Sequence, residues 1–219
     1  YGDVYKKKDF QVEDFSKFEN FSYSLGYVMK TKNKLVSWIV SHCNASSKRD
    51  EYVKELQKFI PVDIYGKCGP LKCDIKEILD SNFRLRNEGG SGGCLTLNTF
   101  TTHTYHIIPV VRGSADYAAI APPHSYINVE DFETQKDLAN YLIYLDKNDT
   151  AYMEYFNWKK NYFVMNGFTS LHYMTTFCTL CQKLHSDKTE KIYYNLTEWF
   201  LGEAQCNKNL SRLTIPSST

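Results

Sequence analysis

The sequence has no charge excess. Among 219 residues, 26 Lys and Arg stand against 25 Asp and Glu, a formal net charge of +1. That excludes the strongly basic footprint of a nucleic-acid binder. No apolar run approaches the roughly 18 residues of a membrane span, and no signal peptide opens the chain. Its glycine-rich run lacks the Lys-Ser/Thr of a P-loop, and no G-x-G-x-x-G follows a strand. No Asp-x-Asp marks a strand end, so manganese stays open as a cofactor but is not indicated, and no other cofactor is required. His124 and His172 have neither an acid nor a nucleophile at a telling spacing. Glu130, Asp131 and Glu133 flank a helix start, which explains them as acids near a positive dipole end. A catalytic base is therefore expected outside this chain. The first residue is Tyr1, not Met, which predicts a piece of a longer protein.

Other classes of residue are plentiful. Hydrophobic residues at 42% and charged residues at 23% exclude wholesale disorder. Aromatics make up 15%, with 17 Tyr and 13 Phe, which suits a strand-containing core and often a sugar- or nucleotide-facing surface. Seven cysteines and five Asn-x-Ser/Thr triplets, at Asn20, Asn44, Asn148, Asn195 and Asn209, point to a secretory or lumenal compartment. An odd cysteine count leaves one thiol free or paired outside the chain.

Residues 1–33 read as a polar connector with some packed aromatics. Leu35–Val40 is a short β-branched apolar run, a buried strand. Tyr52, Val53, Leu56, Phe59 and Ile60 recur at helical spacing before Pro61, and Val62–Tyr65 is a second strand ended by Gly66. Strand, loop, helix and strand make a βαβ unit of a parallel sheet. A brief helix is expected over Ile75–Leu79, a flexible linker over Glu88–Gly93, and a strand over His106–Val111. His103 and His106 would face opposite ways along that strand, against a shared metal. Thr134 and Asp137 form a capping-box pattern ahead of Leu138, Tyr141, Leu142 and Leu145, an amphipathic helix. Further helices are expected over Tyr152–Trp158 and Leu171–Leu184.

Two clusters carry candidate chemistry. Ser46, Ser47, Lys48 and Arg49 stand at a helix start, where free N–H groups and the dipole suit a phosphate or pyrophosphate. An ordinary capped helix with a surface Arg is the plainer alternative. Cys178-x-x-Cys181, with His185 and Cys206, has the look of a zinc set or a redox pair. Structural disulfides are the reading favoured here, with Cys178, Cys181 and Cys206 as candidates that each pair elsewhere.

Several segments, in collinear order from about residue 34 to 206, resemble the C-terminal half of the alpha-1,3-fucosyltransferases, glycosyltransferase family 10. They are Leu35–Asn44 followed by Ser47-Lys48-Arg49, Val62–Gly66, Ile108–Gly113, Asp116-Tyr117, Ala121–Ile127, Asp131-Phe132 through Leu142, Leu145–Asn148, Tyr155-Phe156-x-Trp158, and Cys178-x-x-Cys181. Tyr1–Val4 resembles the end of the family's acceptor-side domain. The resemblance implies an α/β fold, a Rossmann-like parallel sheet flanked by helices that forms the C-terminal domain of a GT-B-type glycosyltransferase. On that reading residues 1–33 are the tail of the acceptor-side domain and a linker, 34–206 bind GDP-fucose, and 207–219 are a C-terminal tail. The family transfers fucose, with inversion, from GDP-fucose to N-acetylglucosamine of a glycan on glycoprotein or glycolipid. It works in the Golgi lumen as type II membrane proteins, with the anchor upstream of this chain. Val40, Ser41 and His42 would line the nucleotide site, and Arg49 would clamp the pyrophosphate bidentately.

The resemblance breaks over residues 82–100. There the family carries a donor-binding motif built on Phe-Glu-Asn and Thr-Glu-Lys. Here Glu88 can stand for the first Glu, while the Glu and Lys of the second group have no counterpart. Each lost charged contact to a buried partner costs about 2–5 kcal/mol, and a glycine-rich stretch in place of a core strand costs stability. Activity of this chain alone is therefore in doubt. A lumenal, non-catalytic descendant that binds a glycan or a protein is the alternative.

Overall fold

The computed structural model describes residues 3–6, 32–45, 47–72, 81–87, 106–113, 116–165, 170–190, 192 and 194–198. Strand β1 (Asp3–Lys6) is followed by β2 (Lys34–Ile39), helix α1 (Arg49–Leu56), β3 (Val62–Tyr65), β4 (Ser81–Asn87) and β5 (Ile108–Arg112). Then come α2 (Tyr117–Ile120), β6 (Ile127–Asn128), α3 (Gln135–Asp146), α4 (Asp149–Glu154), β7 (Tyr162–Met165) and α5 (Ser170–Ser186). No helix among the described residues is long and apolar enough to cross a membrane.

Five strands form one parallel sheet in the order β3-β2-β4-β5-β6. The chain goes from β2 outward to β3, then returns to place β4 on the other side of β2. Such a reversal leaves a crevice between the two loops that depart from the carboxyl ends of β2 and β4, and open α/β sheets bind ligands there. β1 lies apart, paired antiparallel with β7 from Asp3↔Met165 to Lys6↔Tyr162.

Parallel strands covered on both faces read as continuous apolar runs. All five residues of β5 are buried, as are Val36, Ser37 and Trp38 of β2. The core joins Val36, Trp38 and Val40 to Val53 and Leu56 of α1 and to Leu138, Leu142 and Leu145 of α3. Removing such side chains from water contributes about 1.5–3 kcal/mol each. The N-terminus of α3 is set by Thr134, whose hydroxyl accepts from Asp137 N at 3.2 Å while the Asp137 carboxylate accepts from Thr134 N at 3.1 Å. Asn148 caps α4, accepting from Ala151 N at 3.1 Å.

The structure corrects the sequence reading at several points, among them the helix expected over Tyr152–Trp158, which instead runs from Asp149 to Glu154 with a 3-10 turn over Asn157–Lys160. Residues 81–87, for which no strand was expected, form β4, in register with both β2 and β5, with Phe83 fully buried. The alternation of Phe83 and Leu85 with polar residues is a half-buried strand pattern. Helix α1 ends at Leu56, not Ile60, because the chain turns through Gln57–Phe59 to deliver Ile60 to the core. His106 lies in a turn ahead of β5, not in the strand, with φ of 55°. The expected helix at 75–79, the linker at 88–93, His103 and most of the 1–33 connector lie outside the described residues.

Candidate functional site

The loop that leaves β2 is the centre of the candidate site. Val40 is buried at the strand's end and is tied to the neighbouring strand: its N–H donates to Tyr65 O at 2.9 Å, and its carbonyl accepts from Cys68 N at 3.2 Å. A disulfide between Cys43 and Cys68 joins the same two loops. Gly66, at φ +98°, makes the close approach possible, since a Cβ there would stand 2.7 Å from the Val40 carbonyl oxygen. Ser41 is half-buried and His42 exposed.

Two guanidinium groups hold this loop from below. Arg49, the first residue of α1, is 3% exposed, and its Nη2 donates to the carbonyl of His42. Its Nε is buried with no hydrogen-bond partner, and no ion pair to it occurs among the described residues. Arg112, at the carboxyl end of β5, is 6% exposed and donates from Nη1 to Ser47 O at 2.9 Å. Its guanidinium lies 5.1 Å from the centre of the Tyr52 ring, within cation–π range. Burial pushes the Tyr52 phenol up to about 12, with Arg112 opposing that rise and Glu130 adding to it. Burial pushes Arg112 down, while Tyr52 and Glu130 oppose; a guanidinium stays charged there all the same. Two buried cations behind one loop, at a sheet's carboxyl edge, suit an anionic ligand.

Helix α1 opens on Lys48, which has a left-handed φ of 52° and makes no side-chain cap. The first-turn N–H groups are therefore not capped by it, although Asp50 and Glu51 already place negative charge there.

Of the expected site residues, Val40, Ser41, His42 and Arg49 come together on this loop and the start of α1. Ser46 and Glu88 lie outside the described residues; in sequence, Glu88 directly follows the carboxyl end of β4. Ser47 and Lys48 are exposed. Arg112 is the residue that sequence reasoning missed. Its signal was position, at the carboxyl end of a wholly apolar run, where sheet ligands and their supports gather.

The cysteine pattern differs from the expectation. Cys178 and Cys181 are free, exposed thiols on α5, and among the described residues the disulfide is Cys43–Cys68. On a continuous helix, two residues three apart point their side chains along one face, and here that face is open to solvent at both positions. Cys206 lies outside the described residues. Among the described residues no group of three or more His, Cys, Asp or Glu side chains could hold a metal ion, so Cys178, Cys181 and His185 do not form the zinc set considered above. Among the triplets, Asn44 and Asn195 are exposed, and Asn195 accepts from Glu198 N at 3.1 Å. Asn148 is half-buried in its cap, and Asn20 and Asn209 lie outside the described residues.

Comparison with known proteins agrees with this picture. Residues 29–199 match the model of glycosyltransferase family 10 (fucosyltransferase), C-terminal region. The chain is 35% identical over 190 residues to glycoprotein 3-alpha-L-fucosyltransferase A of Drosophila melanogaster, covering 80% of this chain and 36% of that protein. It is 36% identical over 174 residues to alpha-(1,3)-fucosyltransferase fut-1 of Caenorhabditis elegans, covering 74% of this chain and 40% of that protein. A crystal structure of an alpha1,3-fucosyltransferase with GDP-fucose shares the fold, with a TM-score of 0.54 at 20% identity over 83% of this chain and 55% of that one. The chain thus spans less than half the length of these two curated relatives. With a family model that covers most of its length, the chain belongs to glycosyltransferase family 10, the fucosyltransferases, and carries that family's C-terminal region.

Proposed function

We propose that the chain is the donor-binding part of an alpha-1,3-fucosyltransferase, seating GDP-fucose in the crevice at the carboxyl ends of β2 and β4. The observation that carries this reading is Arg49: a buried guanidinium at the start of α1, at the topological switch point, whose Nε has no partner. An unsatisfied buried donor of this kind costs about 1–3 kcal/mol, and a diphosphate oxygen would satisfy it. Val40, Ser41 and His42 line the nucleotide beside it, and Glu88 follows from β4. The relatives are named as fucosyltransferases, and one related structure was solved with GDP-fucose.

The reaction is an inverting displacement. An acceptor hydroxyl, on N-acetylglucosamine of a glycan, attacks the anomeric carbon of fucose; the bond from that carbon to the β-phosphate oxygen breaks. The hydroxyl proton goes to a base outside this chain, and GDP leaves with the electron pair. Arg49 stabilises the charge that develops on the diphosphate. Residues 34–206 act as the donor domain of a GT-B-type enzyme, with 1–33 assigned to the tail of the acceptor-side domain and a linker and 207–219 to a C-terminal tail. The Cys43–Cys68 disulfide and the five glycosylation triplets support the Golgi lumen as its place of work.

A second reading, a non-catalytic lumenal binder, is favoured by one feature: the stretch after Glu88, through residue 100, lacks the Glu and Lys of the family's second motif. Calorimetric titration of GDP and then GDP-fucose separates the two. Micromolar binding, weakened about tenfold or more by Arg49→Lys in a variant that still melts cooperatively, supports the donor site; tenfold is about 1.4 kcal/mol. No binding by the folded chain supports the second reading.

A further inference from the structure

The donor crevice uses few of the aromatic residues in which this sequence is rich. Several of the others gather at the β6 edge of the sheet. An open cavity of about 400 Å³ lies beside the edge strand β6, lined in part by His124, Tyr126, Asp131, Phe132, Tyr141 and Tyr155. In the sheet order β6 is two strands beyond β4, about 10 Å at the usual strand spacing. The cavity and the crevice are therefore separate places on one scaffold.

The walls of the cavity are set firmly. The His124 ring stacks on Tyr155 at 3.9 Å between centres, and His124 holds a left-handed φ of 57°. The Tyr141 and Tyr155 hydroxyls are hydrogen-bonded at 2.8 Å. Phe132 packs against Tyr141 at 5.4 Å between ring centres. Tyr155 is buried, while Tyr126, Phe132 and Tyr141 are half-buried and His124 and Asp131 exposed. Each hydroxyl of the Tyr141–Tyr155 pair can both donate and accept, so the pair keeps capacity for a ligand.

We propose that this cavity is a second binding site, for an uncharged sugar ring of a glycan. A pyranose has C–H faces that lie against aromatic rings and an equatorial rim of hydroxyls that donate to carboxylates. The lining supplies both: aromatic faces for the ring, and Asp131 with the tyrosine hydroxyls for the rim. The volume lies within the range of small-ligand sites. The lining carries a carboxylate and neither Lys nor Arg, which disfavours a nucleotide or any other anionic ligand. The chemistry does not depend on the donor reading above, because it needs no nucleotide.

The test is an NMR titration of the chain with N-acetyllactosamine and N,N′-diacetylchitobiose, observing its aromatic side-chain resonances, without GDP and then with it. Millimolar binding that perturbs tyrosine and histidine signals is expected. Asp131→Asn and Tyr126→Leu, each at a position that is not fully buried, are expected to weaken it about tenfold and to leave GDP affinity and melting temperature unchanged. The proposal is overturned by any of three results. The folded chain fails to bind either sugar at about 10 mM; binding is indifferent to both variants; or GDP displaces the sugar. Failure of GDP to bind would remove the donor reading and leave the sugar result standing.

Discussion

Arg112 reaches across the end of β4 to hold Ser47, donating from Nη1 to its carbonyl at 2.9 Å over a separation of 65 residues. Arg49 holds His42 on the same loop, so the segment that leaves β2 is gripped near both ends by buried cations. Arg112→Met keeps the aliphatic stem and removes this bond. A loss of about 1.5–3 kcal/mol is expected in urea unfolding, the range for a hydrogen bond to a charged group. GDP affinity should fall with it, and Arg112→Lys should restore the charge without the fork and recover only part of the affinity. Unchanged unfolding and unchanged GDP binding in the Met variant would show that the loop does not depend on Arg112.

The Cys43–Cys68 disulfide closes a loop with a sequence separation of 25. Removing a bridge of that span is expected to cost about 3 kcal/mol. Melting with and without reductant measures it: the native chain should lose stability on reduction, while the double variant Cys43→Ser/Cys68→Ser should start lower and not respond. Because Cys43 lies between Val40 and Arg49, donor affinity should fall in both cases. A native chain whose melting ignores reductant would contradict this.

Gly66 permits a close approach of the segment after β3 to the end of β2. At φ +98° and 2.7 Å from the Val40 carbonyl oxygen to a built Cβ, Gly66→Ala is strained by conformation and by contact. A destabilisation of about 1–3 kcal/mol is expected, read from the urea midpoint at constant slope. A variant as stable as the native chain would mean that the turn relaxes freely.

His106 predicts a pH dependence. Burial, with Lys159 and Lys32 adding to it, pushes its imidazole down to about 3 from the ordinary 6.5. Its backbone carbonyl accepts from Tyr152 Oη at 2.9 Å and its ring lies against Phe156, so it is held neutral inside. Below pH 6.5 the unfolded chain takes up a proton there and the folded chain does not. The unfolded state then binds more protons, so stability is full above about 6.5 and falls as the pH drops toward 3, by up to about 1.4 kcal/mol per unit. Lys159, pushed down to about 7 from 10.5 by burial and then by Lys32, has the same sign in a separate window between those values. His106→Asn, which tolerates the left-handed backbone, should flatten the acid limb in unfolding measured from pH 4 to 7. An unchanged slope would assign that limb to other groups.

Much of the sheet was legible in the sequence because its strands are short, apolar and β-branched. Val62–Tyr65 stands where the pattern put it, and Thr134 caps α3 as its spacing with Asp137 implied. β4 was harder to see. Ser-Asn-Phe-Arg-Leu-Arg-Asn carries only two apolar residues, and its departure from the family's wording hid a period-2 pattern that suffices for a central strand. The cysteines were illegible for a different reason. Seven cysteines permit many pairings, and spacing does not choose among them. Among the described residues, Cys43 and Cys68 pair because the β2–β3 register brings their loops together.

The sequence by itself determined the family and the parallel α/β class, and it singled out Arg49 as a candidate, because local periodicity, capping residues and motif order are properties of neighbouring residues. Only the tertiary structure decided that Arg112 holds the same loop as Arg49, that Cys43 meets Cys68, and that His124, Phe132 and Tyr155 line one cavity. Those relationships depend on strand order and register. Two strands that end at the same edge place residues far apart in sequence within a side chain's length of each other, and that closeness leaves no local trace in the chain.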